Sequence, residues 1–285
     1  MAIASHITEV ASALAAGDHF GRYRIEHRIG QGSMGTVYRA THEGRGDSVA
    51  LKVLRADLVD DPKYRRRFLH EARAASTIRH PHLVEVVDSG EANGLPFLAM
   101  RFVQGERLTQ IIARQGPLQA GEVVRIATEV GTALDALHAA GLMHRDVKPS
   151  NVLRDARGNS MLTDFGLAKG ISGYATLTSS GAVVGTLEYL APERIQSEPA
   201  SPASDLYALG CSLFECLTGD APFAGGNEMT AVIGHLREEP PDPCSQRPDL
   251  PARFGQVLLT ALAKDPAARP PSGAAYARAL AAGAD

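Results

Sequence analysis

The sequence predicts an α+β protein of two units, a small sheet-rich one followed by a larger helical one. Three observations carry this: short apolar runs at strand spacing between Tyr23 and Met100, a switch to helical spacing after Gly105, and a length of 285 residues, room for about two domains at roughly 150 residues each. Composition is that of an ordinary globular protein, 44% hydrophobic and 21% charged, with a formal net charge of −3. So weak a charge gives no electrostatic footprint for nucleic acid, and the basic run Arg65-Arg66-Arg67 lies inside a helical pattern as a solvated face. Cys211, Cys216 and Cys244 form no CxxC pair, which fits a reducing cytosol and argues against a disulfide framework or structural zinc. No stretch approaches the ~20 apolar residues that cross a bilayer. Glu9 and Asp18 stand where a signal peptide would have a basic flank and an apolar stretch. The expected location is cytoplasmic, without membrane contact by this segment, either alone or as the cytoplasmic part of a membrane-anchored protein whose sensor follows residue 285.

The elements follow in order. Residues 1–19 are Ala-rich, with Ile7, Val10 and Leu14 at helical spacing, and read as a leader, helical or loose. Strand-like runs come at 23–25, 36–38, 48–54, 83–87 and 97–100, separated by Gly-rich turns, and predict a mainly antiparallel sheet. One helix interrupts them over 62–78, where Phe68, Ala72, Ala75 and Ile78 make an apolar face that also carries Glu71. The period changes after 103–105. Val123, Ile126, Val130, Leu134 and Leu137 mark a long helix ending near Gly141, and further helices are predicted over 203–218, 229–238, 254–263 and 272–282. The units are thus 20–102 and 103–285. No internal repeat is visible at periods of 20 to 50 residues.

Four segments carry chemistry. Gly30-Gln-Gly32-Ser-Met-Gly35-Thr-Val37 lies between strand-like runs, and glycines there let backbone amides close over a polyphosphate. The string also suits a dinucleotide site, which needs a helix after it, or a plain glycine-rich hairpin. Val49-Ala50-Leu51-Lys52 puts one of only five lysines at the core-facing phase of a strand. A half-buried lysine needs an anion, and Glu71 is the natural partner, though a strand-edge lysine would read the same. His144-Arg145-Asp146-Val-Lys148-Pro149-Ser150-Asn151 gathers a carboxylate, a cation and an amide. Asp146 can accept a hydroxyl proton, Lys148 can neutralise a transferring phosphoryl group, and Asn151 can hold a divalent metal. Asp164-Phe165-Gly166 adds a hard-oxygen ligand suited to magnesium.

Taken together, these strings resemble the Hanks-type (eukaryotic-like) protein kinases, closest to their bacterial Ser/Thr branch. The ordered set is GQGSMGTV, VALK, a helix glutamate, HRDVKPSN, DFG, Gly185-Thr186, Ala191-Pro192-Glu193, Asp205 through Gly210, and Arg269, and it spans about Tyr23 to Leu280. The resemblance implies a two-lobed kinase fold, with a small mainly β N-lobe, one key helix and a larger mainly α C-lobe, and with the nucleotide held in the cleft. It implies ATP and Mg²⁺, or Mn²⁺, as cofactors and Ser/Thr hydroxyls of proteins as acceptors. Ile29, Gly30, Gly32, Gly35, Val37, Ala50, Lys52, Met100, Phe102, Val103 and Leu153 would contact the nucleotide, with Met100 as gatekeeper. Lys52, Glu71, Asp146 and Lys148 would form the catalytic set, and Asn151 and Asp164 would hold the metal.

The same resemblance implies that Glu193 pairs with Arg269, that Asp205 braces the catalytic loop, and that Arg145 receives a phosphate from an activation segment over 164–193. Lys148 and Thr186 match the Ser/Thr subgroup. Thr176, Thr178, Ser179 and Ser180 are candidate autophosphorylation sites, reached by a second copy of the chain. Two positions depart from the family pattern. Arg101 stands where the hinge is usually acidic, and the small Ala75 replaces a larger apolar residue, which implies a loosely packed Glu71 helix. Two other readings compete. The usual sign of a pseudokinase scaffold is a missing Lys, Asp or DFG residue, and none is missing here; against a small-molecule phosphotransferase of kinase-like fold, the segment from Gly185 to Glu193 and the Asp205 helix fit a protein substrate better.

Overall fold

The computed structural model describes residues 14–32, 34–56, 62–164 and 187–284, in two compact units. One holds residues up to Arg79 together with Val84–Val103; the other holds His80–Leu83 and everything from Gln104. Most of the leader, Phe165, Gly166, the four candidate phosphosites, Gly185 and Thr186 lie outside the described residues.

The first unit is an antiparallel sheet of β1 (His19–Phe20), β2 (Tyr23–Gly32), β3 (Gly35–His42), β4 (Ser48–Leu54), β5 (Val86–Ala92) and β6 (Leu95–Arg101), in the order β1-β2-β3-β4-β6-β5. Period-two alternation sends Tyr38 and Ala40 of β3, and Val49, Leu51 and Val53 of β4, to one face. There they join Tyr23, Ile25, Leu95, Phe97 and Ala99 in one core cluster. Each large side chain so buried contributes about 1.5–3 kcal/mol. Helix α1 (Pro62–Ala75) packs against β5 and β6 through a face where Phe68 is 2%, Ala72 0% and Ala75 1% exposed. It stops short of Ile78 because the Ser76 and Thr77 hydroxyls donate to the carbonyls of Arg73 and Ala74, competing with the helical ladder.

The strand expected over 83–87 forms only from Val86. Leu83 turns the other way and bridges Leu162, and the His82 ring nitrogen Nδ1 bonds the Ser160 carbonyl at 2.9 Å. Residues 80–83 therefore group with the helical unit and not with 20–102.

The second unit has a small sheet of β7 (Gly105–Arg107), β8 (Val152–Asp155) and β9 (Ser160–Leu162), followed by helices packed around a buried one. Two helices precede β8, α2 (Leu108–Gln115) and α3 (Ala120–Ala139). After it come α4 (Pro192–Ile195), α5 (Pro202–Thr218), α6 (Glu228–Arg237), α7 (Pro243–Gln246), α8 (Ala252–Thr260) and α9 (Gly273–Ala284). Helix α5 is buried over most of its length and has textual signals at both ends: Ser201 caps Ser204, Pro202 occupies the first turn, and Gly219 closes it at φ 97°. Helices α3 and α9 touch backbone to backbone. A Cβ on Gly273 would stand 2.2 Å from the Gly131 carbonyl oxygen, and Asp135 of α3 accepts from the first amides of α9, Gly273 at 2.7 Å and Ala274 at 2.9 Å. Among the described residues no helix is long and apolar enough to cross a membrane.

Candidate active site

In the first unit the glycine string forms the end of the β2–β3 hairpin, with Gly30 opposite Val37, Gln31 opposite Thr36 and Gly32 opposite Gly35. A strand, not a helix, follows the glycines, which removes the dinucleotide reading. Gly35 is required by close approach, since a Cβ there would meet the Val53 carbonyl oxygen at 2.1 Å.

Register then sorts the expected nucleotide contacts. Val37 lies opposite Lys52 and Lys52 opposite Leu98, while Arg39 lies opposite Ala50 and Ala50 opposite Met100. Directly opposed residues share a face, so Val37, Ala50, Lys52 and Met100 line one side of the sheet. This corrects the core-facing phase expected for Lys52. Val49, Leu51 and Val53 fill the core, and period two puts Ala50 and Lys52 on the opposite face, half-buried. Met100 is 2% exposed and Ile29 is 41% exposed. Phe102 lies under the Arg39 guanidinium at 4.6 Å, and Arg39 Nε is 2.8 Å from Glu26 Oε2. Glu71 is buried on α1, where it accepts from Arg67 Nε at 2.9 Å. Its pairing with Lys52 stays an expectation of the resemblance.

In the second unit the segment after α3 is held by a buried carboxylate. Asp205 of α5, 2% exposed, accepts from the amides of His144 and Arg145, both at 2.8 Å, and bonds His138 Nε2 at 2.8 Å. His144 is fully buried, its Nε2 bonding the Thr163 carbonyl at 3.0 Å, and burial pushes its pKa down. Arg145 takes a left-handed φ of 63°, as does Asp164 at 59°, conformations that cost a non-glycine residue about 1–3 kcal/mol and persist only where surroundings enforce them. The bond that the Arg145 amide donates to Asp205 does so there.

Downstream three of the expected site residues meet. Asn151 Nδ2 donates to the Asp146 carbonyl at 2.8 Å and to its Oδ2 at 2.9 Å, and Lys148 Nζ is 3.3 Å from Asp146 Oδ1. With its amide nitrogen spent on Asp146, Asn151 has its amide oxygen as the ligand atom for a hard cation. The Asp164 carboxylate, joined to the loop through Thr163, whose amide donates to the Asn151 carbonyl at 2.9 Å, supplies a second oxygen donor. These residues fit Mg²⁺. Leu153 sits half-buried on β8, opposite Arg107 on one side and Met161 on the other.

Glu193 and Arg269 form a buried bidentate pair at 2.7 and 2.8 Å, and the guanidinium also stacks 4.8 Å over the Tyr207 ring.

Residue types alone did not indicate three further groups. His138 is a third partner of Asp205. Arg107 donates to the Ser150 carbonyl and lies 3.6 Å from Asp164 Oδ2; its one textual signal is an arginine where a helix start prefers Ser, Thr, Asp or Asn. Tyr189 donates to Glu215 Oε2, and burial, with Glu188 and Asp220 nearby, pushes the Glu215 carboxyl up to about 7.

The first unit carries a glycine hairpin of the kind suited to phosphate, and the second carries an aspartate clamped by lysine and asparagine with a further aspartate later in the chain, residue types that phosphoryl transfer calls for. Residues 23–279 match the protein kinase domain model. The chain belongs to the protein kinase domain family. Similar curated kinases include serine/threonine-protein kinase PknE of Mycobacterium bovis, 42% identical over 250 residues, covering 88% of this chain and 44% of PknE. PknA of Mycobacterium tuberculosis is 40% identical over 267 residues, covering 92% of this chain and 61% of PknA. The chain thus spans less than two thirds of these kinases' own length. Among solved structures, a Mycobacterium tuberculosis PknI kinase domain, the C20A_R136A double mutant, matches at TM-score 0.79 and 35% identity, over 96% of this chain and all of that one. Rad53 1-466 in complex with AMP-PNP matches at TM-score 0.73 and 26% identity, over 91% of this chain and 65% of that one. The protein-kinase fold expected from the motifs is therefore the fold of this chain.

Proposed function

We propose that this kinase domain transfers the γ-phosphoryl group of ATP to Ser and Thr hydroxyls of proteins, its own activation segment included. The observation that carries the reading is the clamp on Asp146, whose two carboxylate oxygens face Lys148 and Asn151. An aspartate so fixed orients an acceptor hydroxyl and takes its proton, while the lysine neutralises charge on the phosphoryl group in transit. Asn151 and Asp164 would hold Mg²⁺, which would supply charge neutralisation on the phosphates. The sheet face with Val37, Ala50 and Met100 accepts the adenine, with Ile29, Phe102 and Val103 of the same unit completing its surroundings, and Leu153 is assigned to the nucleotide by the family resemblance. Gly30, Gly32, Gly35 and Lys52 take the phosphates, and Glu71 steadies Lys52. Thr176, Thr178, Ser179 and Ser180 are the loop acceptors, delivered by a second copy, and Arg145 receives the phosphate they gain. The pseudokinase reading is disfavoured because Lys52, Asp146, Asn151 and Asp164 are all present.

Intact-protein mass after incubation with MgATP tests this. The wild type is expected to gain mass in steps of one phosphate, and Asp146→Asn to gain none. Equal gains in both would assign the phosphate to a contaminating kinase, and no gain in either would return the scaffold reading.

A further inference from the structure

Arg107 occupies the position before α2 where a short polar side chain would close the helix, yet its side chain makes no capping bond there. The guanidinium instead leaves the helix and donates to the Ser150 carbonyl, inside the segment that carries Lys148 and Asn151. From that anchor its Nη1 stands 3.6 Å from Asp164 Oδ2, with the Asp164 side chain 16% exposed and the arginine 37%. Backbone register supports the reach. Arg107 lies opposite Leu153, and the preceding Gly105 is compelled by the closeness of β7 to β8, since a Cβ there would fall 2.2 Å from the Arg154 carbonyl oxygen. The arginine is thus delivered by a strand seated backbone-close against β8, and its length serves Asp164 rather than the helix.

We propose that Arg107 is a positioning residue that competes with Mg²⁺ for Asp164, so that this chain requires more metal to load nucleotide than it would with a small residue at 107. The inference rests on the reading of Asp164 as a metal ligand. A cation arriving at that carboxylate meets an oxygen already facing a positive charge and must either displace the guanidinium or share the carboxylate with it. The Ser150 carbonyl gives the displaced arginine a place to remain, so the competition is reversible. Fixing the carboxylate beforehand is the second consequence: with Asp164 at a left-handed φ of 59°, the pair restricts which way the oxygens point.

The test is Mn²⁺ binding followed by electron paramagnetic resonance in the presence of AMP-PNP, on the wild type, Arg107→Ser and Arg107→Lys, with far-UV circular dichroism to confirm folding. Arg107→Ser is expected to tighten Mn²⁺ binding about two- to fivefold, which converts to about 0.4–1 kcal/mol for a half-exposed ion pair at 1.4 kcal/mol per tenfold. Arg107→Lys, which keeps the charge but not the fork, is expected to lie between the two. Unchanged or weaker binding in Arg107→Ser, with the wild type binding normally, would overturn the competition. Absence of nucleotide-dependent Mn²⁺ binding in the wild type would instead remove the metal-site reading on which it stands.

Discussion

Each unit contains a bidentate arginine–glutamate pair, and the two are chemically alike but differently placed. Arg65 holds Glu91 in the sheet unit with side chains 40% and 31% exposed, whereas Arg269 holds Glu193 in the helical unit at 0% and 7%. Water solvates the first pair in both the joined and the parted state, so joining it gains little. The second has given up its water, and the carbonyls of Ala263, Ala203 and Lys264 take the remaining guanidinium hydrogens. Identical bonds therefore mean decoration in one place and obligation in the other, and the same contrast holds for the site residues. The sheet presents its groups by backbone register, while the helical unit holds its groups by buried side-chain bonds.

Breaking the comparison at its strongest point gives the largest expected effect. Arg269→Ala leaves Glu193 buried without its counter-charge and is expected to cost about 3–5 kcal/mol in urea unfolding. A loss below about 1 kcal/mol would mean that water reaches the site. Asp205→Ala strips partners from the His144 and Arg145 amides and is expected to cost about 2–4 kcal/mol. It should also abolish the autophosphorylation proposed above at temperatures where the fold survives, since Arg145 loses the bond that enforces its backbone. Retained activity would show that the loop holds its shape without α5.

A smaller effect is expected from pH. Burial holds the Glu215 carboxyl above its ordinary 4.5, up to about 7, so the native state favours its neutral form. That stability is fully present below pH 4.5 and is lost as pH rises through about 7. Glu215→Gln accepts from Tyr189 without titrating, so its melting temperature, measured from pH 5 to 8, should lack the wild-type decline attributable to this group. Parallel curves would refute the assignment. The smallest effect belongs to Arg65→Ala, expected to change stability by no more than about 1 kcal/mol. A larger loss would erase the contrast between the two pairs.

Much of this architecture was legible in the residues. Short apolar runs between Gly-rich turns placed β3, β4 and β6, the apolar spacing of α3 placed that helix within a few residues, and α5 begins and ends close to its expected 203–218. Lys52 was misphased because Val49-Ala50-Leu51-Lys52-Val53-Leu54 is apolar on both sides, so alternation alone could not choose its inward face. The small sheet β7–β9 escaped notice because Gly105-Glu106-Arg107 has no apolar residue, and its pairing depends on partners some fifty positions away. The catalytic strings announced their residue types and order. They could not announce Asp205's reach to His138, or Arg107's to Asp164, because those contacts arise only when distant segments pack. The roles assigned to the nucleotide contacts came from family resemblance, while register independently put Val37, Ala50, Lys52 and Met100 on one face.

The backbone contact between Gly131 and Gly273 bears on how this domain can be cut and rejoined. Helix α9 is the last described element, and it is seated against α3 with no space for even a methyl group between them. A shortened version ending before α9 would uncover that seat and leave Asp135 without the amides it receives. Fusion partners, tags and circular-permutation joints are therefore best attached beyond residue 284, with the glycine seam left intact.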